Sequence, residues 1–239
     1  MREKAMEQFQ SEHYLFHYGK DTAAERDIKK IAAEQEACFH HICGVLGITP
    51  PFQLIYYLCD SPEEVGRIYG DNEPCNGFNV PPDTIYAVYN ERIKCVGFHE
   101  DAHLISYVMN RPDCPAVREG LAMFFDRKWW AIHNLDWTAY FLAEGRYLPI
   151  DRLLDRVFFF DHPCSVTYPI MGAFTEWLID TYGMEKYLSF YRQKESAVAL
   201  GRVYCKTPVE LNTAFVDYVR LFRVDEAVKR RMAELLQNE

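Results

Sequence analysis

Two histidines four residues apart with a glutamate between them, His99-Glu100-Asp101-Ala102-His103, are followed downstream by Glu119 in the segment Arg118-Glu119-Gly120-Leu121-Ala122. On a helix, residues four apart share one face, so both imidazoles can point at a single metal ion. The glutamate between them then sits beside a metal-bound water and can act as its general base. Two histidines and a downstream carboxylate form the ligand set of catalytic zinc, which keeps a fourth position for water. Two imidazoles and a carboxylate on a largely apolar helix are also expensive to bury unless paired or metal-bound. The chemistry expected is hydrolysis by metal-activated water, with one zinc ion per chain held by His99, His103 and Glu119 and with Glu100 as base.

Other metal patterns fit less well. A metzincin arrangement needs a glycine three residues and a histidine six residues beyond His103, where Ser106 and Met109 stand. His40, His41 and Cys43 lie so close together on one surface helix that they converge poorly on an ion. His13 and His17, two strand pleats apart, read as partly exposed or hydrogen-bonded. His133 has no assigned role, and His162 is placed near a cleft because it follows the helix pair in a polar loop.

The chain that must position these groups has 239 residues, 49% hydrophobic and 15% aromatic, enough for one large domain or two lobes around a substantial core. A formal net charge of −9 argues against nucleic acid, which requires clustered positive charge. The one dense basic run, Lys229-Arg230-Arg231, is interleaved with acids on a terminal helix and reads as a solvated face. No apolar run reaches the length of a membrane span, and the start Met1-Arg2-Glu3-Lys4 lacks the apolar stretch of a leader. A cytoplasmic protein with no membrane partner is expected. The 8 cysteines are scattered without a C-x-x-C pair, and Cys38, Cys59 and Cys95 fall in apolar segments where a thiol acts as a small hydrophobe.

Strand signals come first: Tyr14 to Tyr18, Phe52 to Leu58, and Thr84 to Tyr89. Between them, apolar positions at helical spacing predict a helix from Asp21 or Thr22 to Cys43, stopped by Gly44 and Gly47. Ser61-Pro62-Glu63-Glu64 opens another with a cap, a first-turn proline and a capping-box glutamate. Residues 70–83, rich in glycine and proline, read as a loop. Beyond Tyr89 strand signals stop. A buried central helix is predicted over Glu91 to Met109, another from Pro115 through Trp129 or Trp130, and more over Asp151–Phe158, Tyr168–Tyr182, Met184–Gln193, Pro208–Val219 and Val224–Leu236. Strands before helices is the α+β pattern. The expected organisation is a single domain over 1–239, with a sheet lobe at about 10–110 and a helical lobe at about 111–239. The histidine motif falls where the two would meet, a common place for a cleft.

Three stretches together resemble the gluzincin metallopeptidases, specifically the peptidase MA-like group. His99 to His103 matches the metal helix. Ala116-Val117-Arg118-Glu119-Gly120-Leu121-Ala122-Met123-Phe124-Phe125 is similar to the W-L-x-E-G-L-A-x-Y-F segment that supplies the third ligand. Tyr168 to Gly183 is similar to the group's Y-x-x-A-G-S-F-V-x-x-L-I-x-x-Y-G helix. Their order and spacing cover the chain from about residue 12 to 220. The resemblance implies a zincin-like fold, in which a small mixed sheet and its helices pack on the active-site helix and a helical lobe follows. It also implies zinc on His99, His103 and Glu119, with Glu100 passing a proton from the metal-bound water to the leaving amine. Tyr168 stands where the group's oxyanion-stabilising side chain stands, with His162 as the other candidate. The strand Thr84–Tyr89 matches the edge strand on which such enzymes align an extended substrate.

Two residues depart from the pattern. Asp101 puts a charge inside the motif, where it would pair with a base or modulate the site. Ala116 replaces a tryptophan, which affects packing. No G-x-M-E-N segment anchors a substrate amino terminus, and Gly77-Phe78-Asn79-Val80 does not replace it, so an aminopeptidase is disfavoured. The expected function is zinc-dependent cleavage of a peptide or protein substrate, endopeptidase-like. The alternative is a catalytically weak or inactive gluzincin-fold protein that binds a peptide or protein partner.

Overall fold

The computed structural model of the chain describes residues 6–237, so the Met1–Lys4 start lies outside the described residues. It is a mixed α+β fold with a small sheet and many helices, divided into two compact units, Met1–Met109 and Asn110–Glu239.

The first unit runs β1 (Met6–Gln10), β2 (Tyr14–Gly19), α1 (Ala23–Leu46), β3 (Leu54–Cys59), α2 (Pro62–Tyr69), β4 (Gly77–Val80), β5 (Thr84–Val88) and α3 (His99–Tyr107). Its five strands lie in the order β1-β2-β3-β5-β4, with parallel pairs in the centre and an antiparallel strand at each edge. Parallel neighbours require a crossover, and α1 supplies it between β2 and β3. The period-two pattern then sorts the side chains. Tyr14, Phe16, Leu54, Tyr56, Ile85 and Ala87 are buried. The alternate positions stack His17 on Tyr57, Tyr57 on Tyr86 and Tyr86 on Phe78, with ring centroids 4.6, 4.8 and 5.0 Å apart, because the register makes each pair direct partners.

Thr22 caps α1 by accepting the Glu25 amide at 3.2 Å, and Gly47 ends the helix at φ 64°, a left-handed conformation suited to glycine. Gly44, expected to help stop it, lies inside it, since one exposed glycine costs a helix only about 1 kcal/mol. Ser61 caps α2 through the Glu64 amide, while the Glu64 carboxylate reaches the Asp60 amide and so does not close a full capping box.

Two expectations in this unit fail for local reasons. The segment 70–83 contains β4, whose pairing with β5 outweighs its glycine and prolines; β5 is therefore an inner strand and β4 the edge. The helix expected from Glu91 starts only at His99. Asn90 Oδ1 accepts the amides of Arg92 and Ile93 at 2.9 and 2.8 Å, making a turn, and Tyr89 bridges to Lys94. Gly97 then takes φ 133°, which a side chain would resist.

The second unit runs α4 (Pro115–Asp126), β6 (Lys128–Trp129), β7 (Ile132–His133), α5 (Asn134–Ala143), α6 (Ile150–Leu153), α7 (Arg156–Phe160), α8 (Cys164–Tyr182), α9 (Met184–Tyr191), α10 (Ser196–Tyr204), α11 (Pro208–Val219) and α12 (Glu226–Gln237). α4 stops short of Trp129 because Arg127, Trp130 and Ala131 adopt positive φ and fold the next residues into a two-stranded ribbon, where no strand was expected. The helix predicted at 151–158 breaks in two, with Asp155 capping the second piece through the Phe158 amide at 2.8 Å. On α12, Lys229 pairs with Glu226 and Arg231 with Glu234 along the helix. No helix among the described residues is long and apolar enough to cross a membrane.

Candidate metal centre

The helix carrying the histidines is fastened to the sheet through Asp101, which is 0% exposed. Its Oδ1 accepts the Tyr56 hydroxyl at 2.7 Å. Its Oδ2 lies 2.5 Å from the Tyr14 hydroxyl and accepts the Gln35 amide at 3.0 Å. Gln35 Nε2 also lies 3.1 Å from the Gly97 carbonyl just before α3, and the Tyr14 hydroxyl is 2.9 Å from the Gln35 carbonyl. One network thus ties β2, β3 and α1 to the start of α3. Burial, and then the charge of Asp101, hold both tyrosines well above the usual phenol pKa. These contacts make Asp101 an anchor of α3, held by Tyr14, Tyr56 and Gln35.

His99 and His103 stand one turn apart with ring centroids 5.0 Å apart and near-perpendicular planes. His103 is 4% exposed and His99 half-buried. One further turn along, the Tyr107 hydroxyl lies 3.5 Å from His103 Nδ1. Glu100, between the histidines, accepts a 2.6 Å hydrogen bond from Asn79 Nδ2 on edge strand β4. The strand runs close to this carboxylate: a Cβ on Gly77 would lie 3.7 Å from Glu100 Oε1. Asn79 does not stand out in the sequence, because β4 lies in the glycine- and proline-rich segment 70–83 that reads as a loop.

Glu119 is half-buried on α4, whose packed positions Ala116, Val117, Gly120, Leu121 and Ala122 surround it in sequence. Ala116, the residue in place of a tryptophan, is fully buried. Gly120 was expected to let the Glu119 helix approach the histidine helix. Its close neighbour is instead α8, where a Cβ would come within 2.6 Å of Thr175 Oγ1 and 3.0 Å of the Met171 carbonyl. On α8 itself, Gly172 meets Met123 and Asn134 in the same way, at 2.7 and 2.5 Å. Asn134 donates to the Met123 carbonyl at 2.8 Å, locking α5 to the pair.

Among the described residues, two groups could hold a metal ion. One is His99, His103 and Glu119, and the other is Glu12, His13 and His40; in each, the ligand atoms lie within 4.8 Å of one another. His40 thus associates with His13 rather than with Cys43.

Tyr168 lies near the start of α8, half-buried, its ring stacked on Phe159 at 5.9 Å and edge-on to Trp129 at 5.8 Å. Nδ1 of His162 is 2.7 Å from the Phe158 carbonyl in the preceding turn, which occupies that nitrogen. His133 caps α5 through the Leu135 amide and lies 3.7 Å from Glu176, to which Arg127 is also paired. The sequence matches no protein-family model and no curated protein.

Proposed function

We propose that the protein is a zinc-dependent peptidase with a zincin-like fold, in which His99, His103 and Glu119 hold the metal and Glu100 is the general base. The observation that carries this reading is the meeting of two imidazoles and one carboxylate, ligand atoms within 4.8 Å, on residues that bracket a second carboxylate in sequence. The donor set fits zinc: neutral nitrogens and a hard oxygen, three in number. Bound there, zinc would lower the pKa of a water to about 7 and polarise the scissile carbonyl. Glu100 accepts a proton from the attacking water and delivers it to the leaving nitrogen. Asn79 holds one oxygen of Glu100 and so fixes the direction of the carboxylate. Tyr168 offers its hydroxyl to the developing oxyanion.

The rival reading, a fold kept for binding alone, rests on the charge of Asp101 within the motif and on the lack of a recognisable specificity element. With that carboxylate engaged by Tyr14, Tyr56 and Gln35, the charge has a structural explanation. The test is Glu100→Gln against a mixed peptide library. The variant should keep the zinc content of the wild type and lose cleavage by at least about a hundredfold, whereas removal of zinc by a chelator should silence the wild type. Undiminished cleavage by the variant removes Glu100 from its role, and zinc-loaded wild type that cleaves nothing favours the binding protein.

A further inference from the structure

We propose that Glu12, His13 and His40 form a second metal site, for a divalent transition ion such as zinc, on the first unit. The residues come from two places: Glu12 and His13 follow β1 in the turn into β2, and His40 projects from α1. No ligand is shared with the His99, His103 and Glu119 group.

Glu36 lies one turn before His40 on α1. Its Oε1 accepts the His13 backbone amide at 2.9 Å, and its Oε2 lies 2.7 Å from His13 Nδ1. A carboxylate accepts, so at this 2.7 Å contact Nδ1 of His13 carries the proton. In the neutral ring that leaves Nε2 as a lone pair. A carboxylate behind a histidine whose other nitrogen faces outward is the arrangement that orients metal-binding imidazoles.

The ring is also held in place. It stacks on Phe39 at 4.0 Å between centroids and 21° between planes. From that fixed ring, Nε2 lies 3.9 Å from Glu12 Oε1, and the His40 ring stands edge-on with its centroid 5.1 Å away. Tetrahedral zinc with bonds near 2.1 Å separates its ligand atoms by about 3.4 Å. The three atoms here, within 4.8 Å of one another, need only a modest closing. The Glu12 side chain is 77% exposed and His40 is exposed, so these two can swing toward the fixed one, and solvent supplies the remaining position. Two imidazoles favour zinc, copper or nickel over magnesium or calcium.

A bound ion would staple the turn after β1 to α1. The alternative is a set of side chains that hydrogen-bond without an ion, and the two make opposite forecasts. The metal-stripped full chain is titrated with zinc by calorimetry, with cobalt absorption as a second readout. His103→Ala, which removes a ligand of the first centre, should still take up one equivalent, and His103→Ala with His40→Ala should take up none. Glu36→Gln should weaken the remaining site by tenfold to a hundredfold. Zinc should raise the melting temperature of His103→Ala but not of the double variant. Equal zinc uptake with and without His40 overturns the site, as does an unchanged affinity in Glu36→Gln. Because the comparison is made without His103, it reads the same whether or not the first centre binds zinc.

Discussion

The two helices that carry the proposed zinc ligands are held in place by different physics. In the first unit, α3 is fixed by a buried polar network, with Asp101 taking bonds from Tyr14, Tyr56 and Gln35. In the second, α4 is fixed by contact, with Gly120 and Gly172 letting it lie against α8 at a distance no side chain would allow. The polar network is directional and fails when one acceptor is lost. The glycine contact is steric and fails when one methyl is added.

The largest expected effect breaks the first of these. Asp101→Ala takes the acceptor from the buried Tyr56 hydroxyl and one of two acceptors from each of Tyr14 and Gln35, at about 1 kcal/mol or more each, so denaturant unfolding should show a loss of about 3 kcal/mol. Asp101→Asn keeps the shape but turns a donor toward other donors, and should lose a substantial part of that. If Asp101→Asn costs nothing, the network is ornamental and shape alone positions α3.

Alkali tests the same region from the proton side. The phenols of Tyr14 and Tyr56 have pKa values raised in the folded state by burial and then by Asp101. Groups with raised folded values contribute stability that is fully present below their unfolded pKa of about 10 and lost as pH rises through the folded one. At one pH unit above 10 the loss is about 1.4 kcal/mol per tyrosine. Tyr187 in the second unit is also raised, chiefly by burial, so both regions weaken. The first unit's share is the part that Tyr14→Phe with Tyr56→Phe removes from the stability–pH curve, and an unchanged curve denies it.

The steric region is tested by Gly120→Ala, expected to cost about 1–3 kcal/mol. Adding Thr175→Ala takes away the nearer obstacle at 2.6 Å but leaves the Met171 carbonyl at 3.0 Å. The double variant should therefore recover at least about 0.5 kcal/mol over additivity, the coupling expected of residues in contact. Strict additivity would place the strain elsewhere.

The difference also explains what could be read in advance. The histidine spacing and the glycine after Glu119 are local features and stand out in a single sequence. Asp101 was visible as an anomaly, yet its partners lie 45, 66 and 87 residues away, and nothing local says which tyrosines will meet it. Gly120 was recognised as a place of close approach, but glycine records only that something comes near, so the wrong helix was assigned to it. β4 was hidden because a four-residue strand with glycine at its start has almost no period of its own and forms by pairing with β5. His13 and His40 are separated by most of α1, and only the folded hairpin brings them together.

The smallest expected effect concerns the residue that this hidden strand supplies. Glu100 and Asp101 are neighbours on one helix, and the first unit bonds both, but to different ends. Asp101 is held from within by groups that stabilise the fold. Glu100 is held by a 2.6 Å bond from Asn79 at the sheet edge. Asn79→Ala should leave the unfolding curve within about 0.5 kcal/mol of wild type, as for a residue away from the core. It should leave zinc content unchanged and lower kcat about tenfold, equivalent to about 1.4 kcal/mol, the scale of one hydrogen bond to a charged group. A loss of stability with kcat intact would make Asn79 another anchor like Gln35. A loss of kcat alone would mean that one sheet does two separable jobs, fixing the helix through Asp101 and aiming its base through Asn79.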